Sequence, residues 1–266
     1  MADFAAIALS IAMVVGPVVG YIDQYFLIRR KRSSAGFNSL TCGVLLIANI
    51  LRVFFWLGKR FDTTLLFQSI AMIIVQLLLL EIVVRYRPDP SPDALYQHLP
   101  EEDNSNAIDI PHRLAFLRPF WSWKHFLDYL NFILGFTTVV AVAYLIFGKY
   151  IGFIETLGFL SLGIESTLPI PQCVSNFKKK STAGFSLLVL ASWFFGDGFK
   201  VFYFIFTHSP IQFIICGAIQ LSIDTIIVFQ FMVFSEFVRK RLGIKSTSDP
   251  NLGHGLLDDH DSDEEH

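Results

Sequence analysis

Asn49 and Arg52 stand three residues apart inside an apolar stretch, and Asp197 and Lys200 repeat that spacing inside another. Residues three apart share a helix face, so each pair sets a cation beside a hydrogen-bonding or acidic group. Kept from water, such pairs can accept a ligand head group, with Arg52 and Lys200 on its phosphate or carboxylate. They can equally form a network that ties helices together, which polar groups inside membranes do for about 0.6 kcal/mol apiece. Asp23, Glu165 and Asp224 are single carboxylates in further apolar stretches, each able to balance Arg52, to exchange a proton, or to sit paired at a helix contact. Pro169 and Pro171 remove backbone hydrogen bonds within one stretch and predict a kink or hinge. Gln172 would then satisfy a freed carbonyl or reach inward.

The elements that must hold these groups follow from composition. Of 266 residues 28 are phenylalanine, 53% are hydrophobic and only 17% charged, and the mean hydropathy is +0.52. A soluble domain of this size is not built this way. The apolar residues gather into stretches of the length a helix needs to cross roughly 30 Å of hydrocarbon, at 4–28, 38–57, 63–84, 125–147, 151–173, 185–206 and 210–237. Helices are required because lipid leaves an unpaired backbone group unsatisfied. A charge at the middle of such a helix costs roughly 2.5–3.5 kcal/mol, which marks the groups above as functional candidates. Cys42, Cys173 and Cys216 fall in or beside these spans and read as small core residues rather than a disulfide framework.

Basic residues set the expected orientation. Sixteen Lys and Arg follow spans one, three, five and seven, beginning with Arg29-Arg30-Lys31-Arg32, whereas the other side carries only Lys59, Arg60 and Lys149. The positive-inside rule then places the N-terminus lumenal and the C-terminus cytosolic. Met1-Ala2-Asp3 lacks the basic stretch of a signal peptide, so the first helix is expected to stay. The clusters after spans one and five (Lys178-Lys179-Lys180) would also attract anionic lipid at about 1 kcal/mol per base.

Self-comparison shows an internal repeat. Ser33-Ser34-Ala35-Gly36-Phe37 returns as Ser181-Thr182-Ala183-Gly184-Phe185, an offset of 148. The same shift places Asp23-Gln24 on Pro171-Gln172, Asn49 on Asp197 and Arg52 on Lys200. In the third helix the offset becomes 144 and pairs Gln68 with Gln212 and Gln76 with Gln220; Gln76 and Gln220 are expected to bond between helices. The fold class expected is therefore an all-α polytopic membrane protein of seven helices. Two parallel three-helix repeats, 4–86 and 151–238, are joined by a linker helix at 125–147, with a shared cavity between them. The acidic, proline-rich connection 87–124 is expected to be disordered on the cytosolic side, and the tail 239–266, which closes on Asp258-Asp259-His260-Asp261-Ser262-Asp263-Glu264-Glu265-His266, to be a cytosolic acidic tail that is simply solvated or serves sorting or regulation. Trp121 and Trp123 suit an interfacial anchor.

Leu168-Pro169-Ile170-Pro171-Gln172 and Lys180-Ser181-Thr182-Ala183-Gly184-Phe185, with their first-repeat counterparts, resemble the PQ-loop repeat membrane proteins, which are similar in architecture to the SWEET sugar carriers. The resemblance runs over roughly residues 10–240. It implies the 3+1+3 arrangement and a polar path along the repeats. Asn49-Ile50-Leu51-Arg52-Val53-Phe54-Phe55-Trp56 and Gly196-Asp197-Gly198-Phe199-Lys200 look most like a branch whose fungal relatives are linked to phospholipid asymmetry and lipid scrambling. Golgi and endosome follow from that likeness alone. Other branches export cationic amino acids or cystine with protons. This chain departs from the family pattern in the first repeat, where Asp23 replaces the proline thought to act as a hinge; Pro17 could substitute.

No nucleophile triad, metal-ligand spacing or phosphate loop is present, so neither bond-breaking catalysis nor a cofactor is expected. Topology and a net charge of -2 exclude nucleic-acid binding. Three functions remain: an ATP-independent phospholipid scramblase of endomembranes, a proton-coupled carrier of a small polar or cationic solute, and a scaffold for a lipid flippase or trafficking partner. A homodimer is compatible with each.

Overall fold

The structure, a computed structural model, describes residues 2–35, 37–87, 121–179 and 187–234. These form eight helices and, among the described residues, no strand: α1 (Ala2–Lys31), α2 (Ser39–Lys59), α3 (Thr63–Arg85), α4 (Phe126–Phe147), α5 (Ile151–Ser166), α6 (Ile170–Lys179), α7 (Leu187–Phe206) and α8 (Ile211–Phe234). Helices α5 and α6 are two pieces of one span, which leaves seven rods. Six of them are long and apolar enough to cross a membrane. The seventh, α7, has 20 residues, about 30 Å of helix at 1.5 Å per residue, and its only charges are Asp197 and Lys200. Residues 88–120 of the connection, the Ser181–Phe185 copy of the repeat motif, Lys180 and the tail lie outside the described residues.

Local chemistry sets the helix ends. The Asn38 side chain accepts from the Leu40 amide at 3.0 Å to start α2, and Asp62 Oδ1 accepts from Thr64 at 2.9 Å to start α3. Short turns between α2 and α3, α4 and α5, and α7 and α8 gather at one end of the bundle and make those neighbours antiparallel. The other end carries Arg29, Arg30 and Lys31 in the last turn of α1 and Arg85 in that of α3, and is called the basic end below.

In each repeat the third helix packs between the other two: α3 lies against α1 and α2, and α8 against α7 and the broken α5–α6 span. The linker α4 lies along α2 and α3, so it is part of the first repeat's packing. One apolar cluster, built on Phe55, Leu65, Tyr203, Phe204 and Phe213, joins the repeats at the turn end. A second, built on Leu46, Leu79, Leu80 and Tyr129, consolidates the first repeat with α4. Outside, Phe67, Ile70, Ile74 and Leu78 form an exposed apolar stripe down α3, as a lipid-facing helix requires.

Three expectations need correction. Trp121 is buried rather than interfacial: its indole covers Gly43, where an added Cβ would meet the ring at 2.5 Å, and its Nε1 donates to the Ser39 carbonyl at 3.0 Å. α1 runs unbroken across Pro17, so no hinge in the first repeat takes the place of the missing one. Lys178 and Lys179 close a helix rather than a loop, because α6 carries the fifth span past its expected end at 173.

Candidate functional site

The site sits where both repeats turn polar faces inward. Arg52 of α2 forms an ion pair with Glu165 of α5 across the boundary between the repeats. Its side chain is 4% exposed, its guanidinium stands 5.8 Å from the Phe213 ring, and its Nε has no acceptor. Lys200 pairs with Asp197 one turn back on α7 at 2.8 Å, and Gln220 of α8 donates to the other Asp197 oxygen, also at 2.8 Å.

The repeat explains why the two cations choose different partners. At the 148 offset, Glu165 falls on Pro17. Arg52 therefore finds a carboxylate on the first helix of the opposite repeat, while Lys200 has only proline in the matching place and turns to its own helix. Arg52, Glu165, Asp197, Lys200, Gln68 and Gln220 line one cavity with an apolar wall that includes Phe204 and Phe213. Its volume is about 20 Å³, room for a water or two and far below the roughly 300 Å³ at which ligand pockets begin.

Asp224 lies one turn beyond Gln220 on the same face of α8. It is completely buried, and among the described residues no N–H or hydroxyl donor reaches its carboxyl. It reaches the Asp197 carboxylate at hydrogen-bonding range, so Asp197 stands between it and the cavity.

The other expected residues are dispersed. Asn49 is buried but turned aside: its amide donates to the Leu45 carbonyl at 2.8 Å and its oxygen is unpaired. Asp23 is exposed on α1, and Gln24 is half-buried one position on; neither lines the cavity. Gln172 donates to Asn176 Oδ1 at 2.7 Å within α6, at the basic end and away from the cavity. Pro169 stands in the three-residue break between α5 and α6, and Pro171 in the first turn of α6, where a missing N–H costs nothing. Gln220 makes its bond between helices, but both polar atoms of buried Gln76 are unpaired.

Residues that sequence reasoning did not single out close the turn end. Lys59 pairs with Glu155, joining α2 to α5, and the Tyr203 hydroxyl donates to Asp62 at 2.5 Å, joining α7 to the start of α3. Ser10 of α1 lies beside the same hydroxyl. Only the position of these groups at span ends was visible in the sequence; their partners lie 96 and 141 residues away.

The two boundaries between the repeats differ. Along α2 and α5 the fit is tight: an added Cβ at Gly58 would meet Ile154 at 2.5 Å, and one at Gly158 would meet Phe55 at 2.7 Å. The matching boundary, α1 against α7, touches far less. On α1 the face of Leu9 and Met13 packs into the shared core, then continues towards the basic end as Gly16 and Gly20, which have nothing within 4 Å. Gly196, one turn from Lys200 on α7, is open in the same way. Ile164, Leu168 and Ala48 occupy the corresponding positions of the tight boundary. Among the described residues the α1–α7 boundary is thus closed at Tyr203 and leaves a lateral slot beside Gly16, Gly20 and Gly196.

Two parts of the chain, residues 5–65 and 153–213, match a family described as PQ loop repeat. They begin 148 residues apart, the offset of the internal repeat. Over 84% of its length the chain is 27% identical to a Saccharomyces cerevisiae protein named Scramblase ANY1, of which the match covers 69%.

Proposed function

We infer that this chain, which carries two PQ loop repeats, is an ATP-independent phospholipid scramblase of endomembranes. The observation that carries this reading is the likeness over most of the chain to a protein named a scramblase. The site supports it: charged groups too costly to leave in lipid surround a cavity, and beside it the α1–α7 boundary is the looser of the two between the repeats among the described residues. A head group would travel past Arg52, Glu165, Asp197, Lys200 and Gln220 while the acyl chains remain outside the slot.

The conformation described is a closed one. A cavity of about 20 Å³ cannot admit a head group, and the turn end is clamped by Lys59–Glu155 and Tyr203–Asp62. Passage requires that clamp to release, with the break between α5 and α6 at Pro169 and Pro171 as the flexing point. The compartment is the Golgi or endosome, with the N-terminus lumenal and the basic end cytosolic.

Purified protein in liposomes tests the reading. Acyl-labelled fluorescent phospholipid is bleached from outside by an impermeant reductant, and the protein is expected to make inner-leaflet lipid bleachable without ATP. Bleaching equal to that of protein-free vesicles would sink it. The convergence of Glu165, Asp197 and Asp224 favours a second reading, a proton-coupled carrier of a cationic solute. Solute uptake driven by a proton gradient, abolished by Asp197→Asn, would decide for it.

A further inference from the structure

Asp197 and Asp224 meet carboxyl to carboxyl at hydrogen-bonding range inside the bundle. Both are buried, and the cation beside them is the single Lys200; Arg52 is engaged by Glu165. Two carboxylates in contact away from water repel one another, and one proton held between them removes that repulsion and turns an acceptor into a donor.

Their surroundings decide which of the two carries the proton. Asp197 receives the Lys200 ammonium on one oxygen and the Gln220 amide on the other, each at 2.8 Å, and both favour its anion. No N–H or hydroxyl donor of the described residues reaches Asp224. Asp224 is therefore the neutral partner, and its hydroxyl donates to Asp197. The repeat sets this contact in the second half: Asp197 matches Asn49 at the 148 offset, and Asp224 matches Leu80 at the 144 offset. An acid on the third helix accompanies an acid on the second, and a leucine accompanies the uncharged asparagine.

The two cations differ in freedom. The Arg52 side chain is 4% exposed and held across the repeats, whereas that of Lys200 is 20% exposed at the cavity. Lys200 is thus the cation able to turn from its carboxylate to a phosphate. When it turns, Asp197 stays behind as a buried anion, which is costly unless donors remain on it. Resting on the scramblase reading above, we propose that Asp224 is a positioning residue: its protonated carboxyl donates to Asp197 and holds that anion in place whenever Lys200 releases it to take a lipid phosphate. Asp224 is not among the residues lining the cavity, so it acts through Asp197 and touches no lipid.

Infrared spectra and lipid movement together test this on the whole chain. The wild type is expected to show the carbonyl stretch of a protonated carboxylic acid, and Asp224→Asn to lack it. Asp224→Asn still presents a donor to Asp197 through its amide, whereas Asp224→Leu fills the space without one. In liposomes holding acyl-labelled phosphatidylcholine, Asp224→Leu is expected to move lipid about tenfold more slowly than Asp224→Asn, the loss of one hydrogen bond to a charged group at about 1.4 kcal/mol. A wild-type spectrum without the band overturns the proposal, and so do equal rates in the two variants. Should Asp224→Leu fail to fold, the infrared comparison of wild type with Asp224→Asn still decides whether the proton is there. A wild type that shows the band yet moves no lipid sinks the scramblase reading, and with it the release of Lys200, but not the shared proton.

Discussion

At the scale of single residues, the Arg52–Glu165 pair is the charge contact that spans the two repeats within the membrane interior, and its removal has a signed consequence. Arg52→Met leaves Glu165 buried without a counter-charge and is expected to cost about 3–5 kcal/mol. The double variant Arg52→Met/Glu165→Met, which removes both charges, should recover most of that loss. Unfolding midpoints in detergent would show it, and a double variant as unstable as the two single losses combined would refute the pairing. The sequence showed which residues were out of place in lipid, because burial cost is a property of residue type. It showed Asp197 with Lys200 because they are three apart on one helix. It could not show that Asn49 turns to its own backbone, that Gln172 bonds within α6, or that Asp224 faces Asp197. The first two are choices of side-chain rotamer within one helix, and the last depends on the depth and rotation of α7 against α8; no spacing along one chain encodes either.

At the scale of helices, the glycines divide into two groups with opposite predictions. Gly158→Leu would drive a side chain into the Phe55 ring and is expected to destabilise the protein by about 1–3 kcal/mol. Gly20→Leu meets open space, so it should leave stability unchanged while slowing lipid movement severalfold by filling the slot. Gly135→Leu, equally unobstructed on α4, should change neither. Thermal stability and the liposome rate, measured together on the three variants, separate these effects; a Gly20→Leu protein with the wild-type rate would show that lipid takes another route. The spans were legible because a membrane imposes one length on every helix. The break after Ser166 was legible too, since proline acts locally. The unequal boundaries were not: glycine in a helix reads the same whether a neighbour presses against it, as Phe55 does on Gly158, or leaves it bare, as at Gly20.

At the scale of the whole molecule, the repeat offset fixed the 3+1+3 order before any coordinate was known, and the same offset separates the two stretches that match the family. Two predictions belong here. Deleting 88–120 and 235–266 should spare lipid movement in liposomes, whereas a scaffold acting through the loop and tail would lose its role. A cysteine at Lys149 in a cysteine-free background should react with an impermeant maleimide only from the lumenal face; labelling from the cytosol would invert the orientation. The open flank between α1 and α7 carries one more consequence. Among the described residues that flank is the looser of the two boundaries between the repeats, on the side away from the sealed α2–α5 contact. Neighbours that crowd against α1 would cork it, so turnover per protein should fall as the membrane becomes densely packed with copies, and a tethered partner laid on that flank would silence the path without touching a charged residue.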